Sequence, residues 1–517
     1  MRPPLHLTQT TGGSSQLQFS DACPQRLLFS EFRQTDIPAH MSRPSIATDF
    51  HNRRVTVMGL GRFGGGLGAV RFLAERGARA TVTDLATEAE LADVLSQLDG
   101  LTIDRLHLGG HVEDDFRDAD LVVVNPAVPA ENPYLEIARR AGVPLSCEMN
   151  LFWQFNRAKV VAVTGSNGKS TTTAMIDSIL KAAGMRTWLG GNIGKSLLPD
   201  IDNIQADDWC VLELSSFQLE ELDRLKAAPD VAVVTNFSPN HLDRHQTLDA
   251  YRLAKQSILR WQSSEQVAIL NGGDADVRQW PTRGQRWYFG DCGLENSPAM
   301  RCISAVSVNS CDATHRRRDD VDVFPLEEWL TLPGEHNLQN ATAATAAAFA
   351  VGVSIRDVQA GLERYQALPH RLQFVAEVQG RKFYNDSLAT TPESVTAALN
   401  AFDEPVVLLA GGYDKRVDLA PLAETIASGT KAVALMGQTA ESLRAVLTAS
   451  AFQSAMSCQR SFDDAFSWAV EHSTPGDVVL LSPGCASYDW FPNFAKRGER
   501  FIELVHGLER QSGEPRV

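Results

Sequence analysis

Val160-Val161-Ala162-Val163-Thr164-Gly165-Ser166-Asn167-Gly168-Lys169-Ser170-Thr171 is the stretch that decides how this chain folds. It opens on an apolar, mostly β-branched run of the kind that forms a strand buried on both faces. Gly165 and Gly168 bracket a turn of small residues, and an amphipathic helical pattern follows from Lys169. Strand, glycine-rich turn and helix in that order gather backbone N–H groups at a helix N-terminus, where a phosphate is stabilised. Lys169 adds a point charge, and the Ser170 hydroxyl is suited to holding Mg²⁺. The spacing departs from the strict G-x-x-x-x-G-K-[ST] pattern, because Val163 stands where the first glycine belongs. The competing reading is a plain glycine turn with an exposed lysine, and the flanking strand and helix weigh against it.

Upstream, a strand at 55–58 enters Gly59-Leu60-Gly61-Arg62-Phe63-Gly64, followed by a helix at 67–76 and a strand at 80–84 that ends on Asp84. This βαβ opening matches the dinucleotide fingerprint, and alone it would suggest NAD. Physically it requires only a helix N-terminus open to a pyrophosphate, which a UDP-sugar also carries. Another buried strand is expected at 121–124. Downstream of the phosphate loop, apolar runs at 210–212, 231–235 and 267–270 alternate with helical segments, as a doubly wound sheet requires. A third alternation places strands at 382–384, 406–409, 432–435 and 478–481. The expected fold is therefore α/β in three consecutive domains: a Rossmann-like N-terminal domain at 51–154, a central P-loop-type ATP-binding domain at 155–362, and a Rossmann-like C-terminal domain at 363–517. Residues 295–322 are polar and weakly patterned and read as an insertion, and there is neither a short repeat nor a heptad pattern.

A chain of 517 residues suits several cores, since one core stops growing near ~250–300 residues. Its 44% hydrophobic and 21% charged residues are ordinary for a globular protein. With 48 Lys plus Arg against 63 Asp plus Glu, the net charge of −15 gives no overall field for nucleic acid or an anionic membrane. No run approaches the ~20 apolar residues of a membrane helix; the longest, at 343–351, is Ala-rich and interrupted by Thr345. Eight cysteines without a C-x-x-C pair fit neither a zinc site nor a disulfide framework, so a reducing cytoplasm is expected. Residues 1–50 are polar, lack a secretory apolar region and read as a disordered extension, with Met41 a candidate start.

Beyond the phosphate loop, the chain carries ELSSFQLE (213–220), NHLDRH (240–245), YRLAK (251–255), GEHNLQN (334–340), PHR (369–371), NDSLATTP (385–392), GGYDK (411–415) and SPGCASYDWFPNF (482–494). In this order, over about residues 54–505, the set resembles the Mur ligases, and within them the glutamate-adding branch. The resemblance implies an ATP-dependent, amide-forming ligase of peptidoglycan synthesis, active in cell-wall biogenesis and division. It would join glutamate, expected as the D enantiomer, to UDP-N-acetylmuramoyl-L-alanine through an acyl phosphate.

Residue by residue, the resemblance assigns Lys169, Lys255, His370 and Arg371 to catalysis. ATP would meet Gly165, Ser166, Asn167, Gly168, Lys169, Ser170, Thr171, Asn337, Asn340, Arg371 and Asp386. The UDP-substrate path would take Gly61, Arg62, Phe63, Asp84, Asn125, Ala127, Asn192, Ser215 and His241. Glutamate would meet Thr390, Lys415, Ser487 and Phe494. Ser170, Glu213, His241 and Lys255 would hold two Mg²⁺ ions, Lys255 as a carbamate, since a neutral amine that captures CO₂ becomes an anion with two oxygens. Without the motifs, Lys255 reads as a surface helix lysine, His241 as a structural histidine, and the asparagines equally as helix caps. A monomer is expected.

One position departs from the family pattern. Leu388 stands where many members carry a lysine, which removes a positive charge near the glutamate residues and leaves L-glutamate as an alternative substrate. Three other readings explain less. An NAD-dependent dehydrogenase accounts for 59–64 and Asp84 but not for the phosphate loop, NHLDRH or GEHNLQN; a nucleotide switch has no use for Lys415 and Ser487; a folylpolyglutamate synthetase-like ligase begins at the phosphate loop and lacks the domain before Phe155.

Overall fold

Strands buried on both faces need helices on either side, and the apolar runs of this chain are laid out that way in three successive sheets. The structure is a computed structural model that describes residues 49–61, 65–240, 242–290, 301–305, 316–318, 321–330, 332–414, 418–450 and 452–512. The extension at 1–48, and with it the expectation of disorder there, lies outside the described residues. Asp49–Val517 forms one compact unit.

The first sheet contains β1 (Arg54–Met58), β2 (Arg79–Asp84), β3 (Arg105–Leu108), β4 (Leu121–Val124) and β5 (Leu145–Ser146), all parallel, in the order β3-β2-β1-β4-β5. Chain order reverses at β1, so the loops after β1 and β4 open a crevice at the strands' carboxyl ends, the usual ligand position in such sheets. Phe50, assigned to the extension by sequence, instead belongs to this body. Its ring is 2% exposed and meets Phe72 edge-on at 5.7 Å and Phe155 at 6.0 Å.

The second sheet comprises β6 (Lys159–Thr164), β7 (Thr187–Gly191), β8 (Trp209–Glu213), β9 (Val231–Val234), β10 (Val267–Asn271), β11 (Gln285–Phe289), β12 (Arg301–Ala305), β13 (Arg316–Arg318) and β14 (Val321–Phe324). Their order is β13-β14-β12-β11-β10-β9-β6-β8-β7, and only β13 runs antiparallel to its neighbour. The segment read as an insertion therefore supplies strands that widen this sheet. The helix Glu335–Val351 packs against the helix Lys169–Ala182 and against β9 to β12. Its Ala341, Ala343, Ala344, Ala346, Ala347 and Ala348 are all buried, and small side chains let the backbones approach closely. A helix apolar all round is a core helix, and Thr342 and Thr345 satisfy their hydroxyls on the carbonyls of Leu338 and Ala341, each at 2.8 Å. Among the described residues no helix is long and apolar enough to cross a membrane.

The third sheet holds β15 (Gln373–Val378), β16 (Arg381–Asn385), β17 (Val406–Gly411), β18 (Ala432–Met436), β19 (Ala455–Cys458) and β20 (Val478–Leu481), in the order β15-β16-β20-β17-β18-β19, with β15 antiparallel. Two apolar layers cover its faces, one around Leu408, Leu422 and Leu443, the other around Leu409, Phe466 and Phe501.

Candidate active site

Gly168 takes a left-handed conformation (φ +78°) as the N-cap of the helix Lys169–Ala182, and a Cβ there would lie 2.2 Å from Asn340 Oδ1. Only glycine fits that position, which is why the loop keeps the helix N-terminus bare. The segment after β9 fixes the rest of the loop. Ser166 N donates to Asn236 O at 3.0 Å, Asn167 N to Asn236 Oδ1 at 2.8 Å, Thr235 Oγ1 to Asn167 O at 2.6 Å, and Ser166 Oγ to Ser238 O at 2.9 Å. Thr235, Asn236 and Ser238 are thus structural partners of the loop that sequence reasoning missed; their position just before NHLDRH was the available signal.

Two lysines converge on this loop. Lys169 Nζ donates to Ser166 O at 2.9 Å, and Lys255 Nζ, from the helix Leu248–Arg260, donates to Gly165 O at 2.7 Å. Lys255 is 1% exposed, so the surface-lysine reading fails. Burial, reinforced by the Lys169 charge and only partly opposed by Glu213, holds its amine well below the ordinary lysine range. Lys169 is shifted down by burial and by Arg371, with Glu213 opposing.

Glu213, at the end of β8, is buried. Its Oε1 accepts from Asn192 Nδ2 at 2.9 Å, and its Oε2 has no hydrogen-bond partner. A carboxylate oxygen left unsatisfied beside two lysines and a phosphate-type loop is the arrangement a hard cation with oxygen ligands would complete. The donor set therefore fits Mg²⁺, and Ser170, in the first turn of the helix Lys169–Ala182, adds a hydroxyl oxygen. Among the described residues no cluster of His, Cys, Asp and Glu forms a metal site, and His241 lies outside the described residues.

A cleft of about 260 Å³ opens between this loop and the C-terminal domain. Asn167, Gly168, Thr171, Asn337 and Asn340 line it from one side, and Arg371, Asp386 and Leu388 from the other. Asn337 Nδ2 donates to Pro333 O at 2.7 Å, and Asn340 Oδ1 accepts from Thr172 Oγ1 at 3.2 Å, so both asparagines brace the helix start while facing the cleft. His336 lines the same cleft; burial and the Arg371 charge push its imidazole down to about 4, which keeps it neutral. Asp386 is pushed up to about 6 by burial, against the bonds from Ser482 Oγ (2.8 Å) and Leu372 N (3.0 Å).

His370 is not among the cleft residues. It packs within the C-terminal domain, where Nδ1 meets Asn385 Nδ2 at 3.0 Å and a Cβ on Gly498 would come within 2.2 Å of the ring. His370 (φ +64°) and Leu372 (φ +40°) both adopt the left-handed region, an uncommon backbone state for side-chain-bearing residues, and Arg371 between them lines the cleft.

The candidate glutamate residues come together through a side chain that sequence reasoning did not single out. Arg497 is 2% exposed; its Nε donates to Ser387 Oγ at 3.0 Å, its Nη2 to Ser387 O at 2.8 Å and Cys485 O at 3.1 Å, and its Nη1 to Ala486 O at 3.2 Å. Ser387 Oγ in turn donates to Phe494 O at 2.8 Å. One guanidinium thus ties the segment before Thr390 to the segments carrying Ser487 and Phe494. Lys415 lies outside the described residues.

Four of the UDP-path candidates, Gly61, Asp84, Asn125 and Ala127, lie on the loops at the crevice of the first sheet, whereas Asn192 and Ser215 follow strands of the second sheet. Asp84 Oδ2 accepts from Gly61 N at 3.3 Å, and its Oδ1 from Ala86 N at 2.9 Å, so the carboxylate folds the two loops together. Asn125 Nδ2 donates to Gly59 O at 3.2 Å, and its Oδ1 accepts from Ala127 N at 3.0 Å. Ser215 caps the helix Ser216–Arg224 in a capping box with Gln218. Arg62 and Phe63 lie outside the described residues.

Comparison with known proteins gives matches in the same order along the chain. The family models described as Mur ligase MurD-like, N-terminal domain; Mur ligase middle domain; and Mur ligase, glutamate ligase domain match residues 53–146, 163–348 and 370–485. A UDP-N-acetylmuramoylalanine–D-glutamate ligase of Roseiflexus sp. (strain RS-1) is 39% identical over 470 residues, covering 88% of this chain and 99% of that protein. The protein of the same name from Pelotomaculum thermopropionicum is 38% identical over 471 residues, covering 89% and 99%. Among solved structures, the UDP-N-acetylmuramate-alanine ligase MurC of Thermotoga maritima aligns with a TM-score of 0.56 at 18% identity, covering 88% of this chain and all of that one. A pseudomurein peptide ligase type C from Methanothermus fervidus gives 0.53 at 18% identity, with the same coverage, and the likeness is one of fold.

Proposed function

This chain belongs to the Mur ligase family, and from that premise we propose how its own residues divide the work of the reaction. It is an ATP-dependent, amide-forming ligase of peptidoglycan synthesis that adds D-glutamate to UDP-N-acetylmuramoyl-L-alanine. A carboxylate oxygen of the precursor bonds to the γ-phosphorus as the bond to ADP breaks. The glutamate nitrogen then attacks the acyl carbon, phosphate leaves with its oxygen, and the amine gives up a proton. Such transfers depend on placement and charge neutralisation more than on covalent help from the protein.

In this assignment, the loop 165–171 cradles the ATP phosphates, Lys169 screens their charge, and Arg371 and Asp386 complete the site from the opposite wall. Asn337 and Asn340 take the adenosine side. His370 acts by setting the backbone on which Arg371 projects. Gly61, Arg62, Phe63, Asp84, Asn125, Ala127, Asn192, Ser215 and His241 guide the UDP moiety and its sugar, and Thr390, Lys415, Ser487 and Phe494 hold glutamate. Mg²⁺, which Mur ligases use with ATP, neutralises phosphate charge when bound. We assign two ions to Ser170, Glu213, His241 and a carbamate on Lys255. The observation that carries this reading is the amine of Lys255, held low chiefly by burial, beside the unsatisfied Glu213 Oε2. A neutral amine attacks CO₂ through its lone pair and releases a proton, which leaves an anion where an ammonium would repel a cation.

The domain limits that accompany this reading are 51–154, 155–362 and 363–517, with the protein acting as a cytoplasmic monomer. Phosphate release measured with UDP-N-acetylmuramoyl-L-alanine against a panel of amino acids tests the assignment. Release that depends on D-glutamate is the expected result; release indifferent to the amino acid would overturn it, and release with L-glutamate alone would reassign the enantiomer.

A further inference from the structure

Arg244 sits in the short helix Leu242–His245, next to His241 and on the middle domain, yet its guanidinium reaches the N-terminal domain. Nη2 donates to Pro126 O at 3.0 Å and Val128 O at 3.3 Å, and Nη1 donates to Ala127 O at 3.3 Å. The group also lies over the Phe217 ring at 4.8 Å. The turn that carries it is anchored from below. His245 stacks on Phe217 with centroids 5.2 Å apart and planes 9° apart, and its Nε2 meets Ser216 Oγ at 2.9 Å.

The three carbonyls belong to the loop after β4, which Asn125 ties to Gly59 and hence to the glycine turn after β1. On that turn Gly61 meets Asp84. A chain of contacts therefore runs from Arg244 on the middle domain through the loop after β4 to the glycine turn after β1 and Asp84. Three consecutive carbonyls can be gripped at once only by a planar fork with several fixed donors, which arginine has and lysine lacks.

We propose that Arg244 is a positioning residue that sets the register of the precursor-binding domain on the phosphoryl-transfer site. This rests on the ligase reading above. Its hydrogen bonds are to main chain, so its action on the bound precursor passes through the loop after β4. What it fixes is where the far end of the bound precursor, its reacting carboxylate, arrives relative to the phosphate loop. Misplacement of about 1 Å at such a distance costs up to about 10²-fold in rate.

The test compares wild type with Arg244→Met, which keeps the apolar stem over Phe217, and Arg244→Lys, which keeps a charge and folds most conservatively. For each, kcat with UDP-N-acetylmuramoyl-L-alanine, KM for ATP, and the equilibrium affinity for UDP alone are measured. Expected are a kcat at least tenfold lower for Arg244→Met, a smaller loss for Arg244→Lys, an ATP KM within twofold of wild type, and a UDP affinity that falls by much less than kcat does. A kcat within twofold of wild type in both variants overturns the proposal. So does a loss in which UDP affinity and ATP KM deteriorate in parallel with kcat, because that marks general destabilisation. Should Arg244→Met fail to fold, the same criteria apply to Arg244→Lys alone. Wild type that releases no phosphate with the precursor and D-glutamate would refute the ligase reading instead, leaving the two failures separable.

Discussion

Lys255 illustrates what one residue type can and cannot disclose. Its position in YRLAK gave no physical sign of burial, since a helix lysine is ordinarily solvated; the depressed amine follows only from packing beside Lys169 and the phosphate loop. If the carbamate assignment holds, Lys255→Ala loses activity, added short carboxylates restore part of it, and CO₂-depleted buffer lowers wild-type turnover. Lys255→Arg does not rescue, because guanidinium keeps the wrong sign; near-wild-type turnover in that variant would remove the carbamate from the mechanism. Lys169→Ala is expected to abolish ADP release while leaving the melting temperature within about 2 °C, since its amine sits at a helix N-terminus outside the apolar core and removing it relieves a buried charge. The loop itself was legible because glycine, lysine and serine at those positions answer to backbone and phosphate geometry alone. Thr235, Asn236, Arg244 and Arg497 were not, because their partners are distant in sequence and nothing local distinguishes them from ordinary surface residues.

Strands showed a similar division at the level of elements. Those with neighbours on both sides, such as β9 and β17, are apolar throughout and were recognisable as runs. β3, β7, β15 and β19 all lie at sheet edges, where sequences such as Arg105-Leu106-His107-Leu108 alternate but bury no residue and are too short to stand out as an apolar run. Among helices, the contact between Lys169–Ala182 and Ile355–Arg364 depends on Gly361, where a Cβ would fall 2.4 Å from Ile179 Cα. Gly361→Ala gains helix propensity but must push the phosphate-loop helix outward. A net loss of about 1–3 kcal/mol is expected in denaturant unfolding, and KM for ATP should rise with it. Unchanged stability would mean that the two helices slide apart without cost.

The whole molecule carries the cleft on two walls from different domains, with the phosphate loop on one and Arg371 and Asp386 on the other. In-line transfer therefore asks the domains to close, and small-angle scattering should contract when an ATP analogue and precursor are added together; superimposable profiles would argue against closure. Between the first two domains, Glu148 accepts a bond from Ser196, and burial raises its carboxyl from 4.5 to about 7. A raised folded pKa means the stabilisation is complete below about 4.5 and is lost as pH rises through about 7. Glu148→Gln should remove that slope and make the protein more stable than wild type above neutrality, by about 3 kcal/mol; parallel stability–pH curves for the two proteins would rule it out. The Arg497 hub has a consequence for how the molecule matures. The phosphate loop is braced by residues 68 to 72 positions away, all within the middle domain, whereas Arg497 must find Ser387 across 110 positions. Synthesis proceeds from the N-terminus and domains fold as units, so a nascent chain can hold a finished nucleotide loop before Arg497 has been made. In the proposed assignment the phosphate loop can thus form on an immature chain, while the glutamate pocket is assembled only after the helix Phe494–Ser512 has docked, which would make glutamate binding a readout of completed folding.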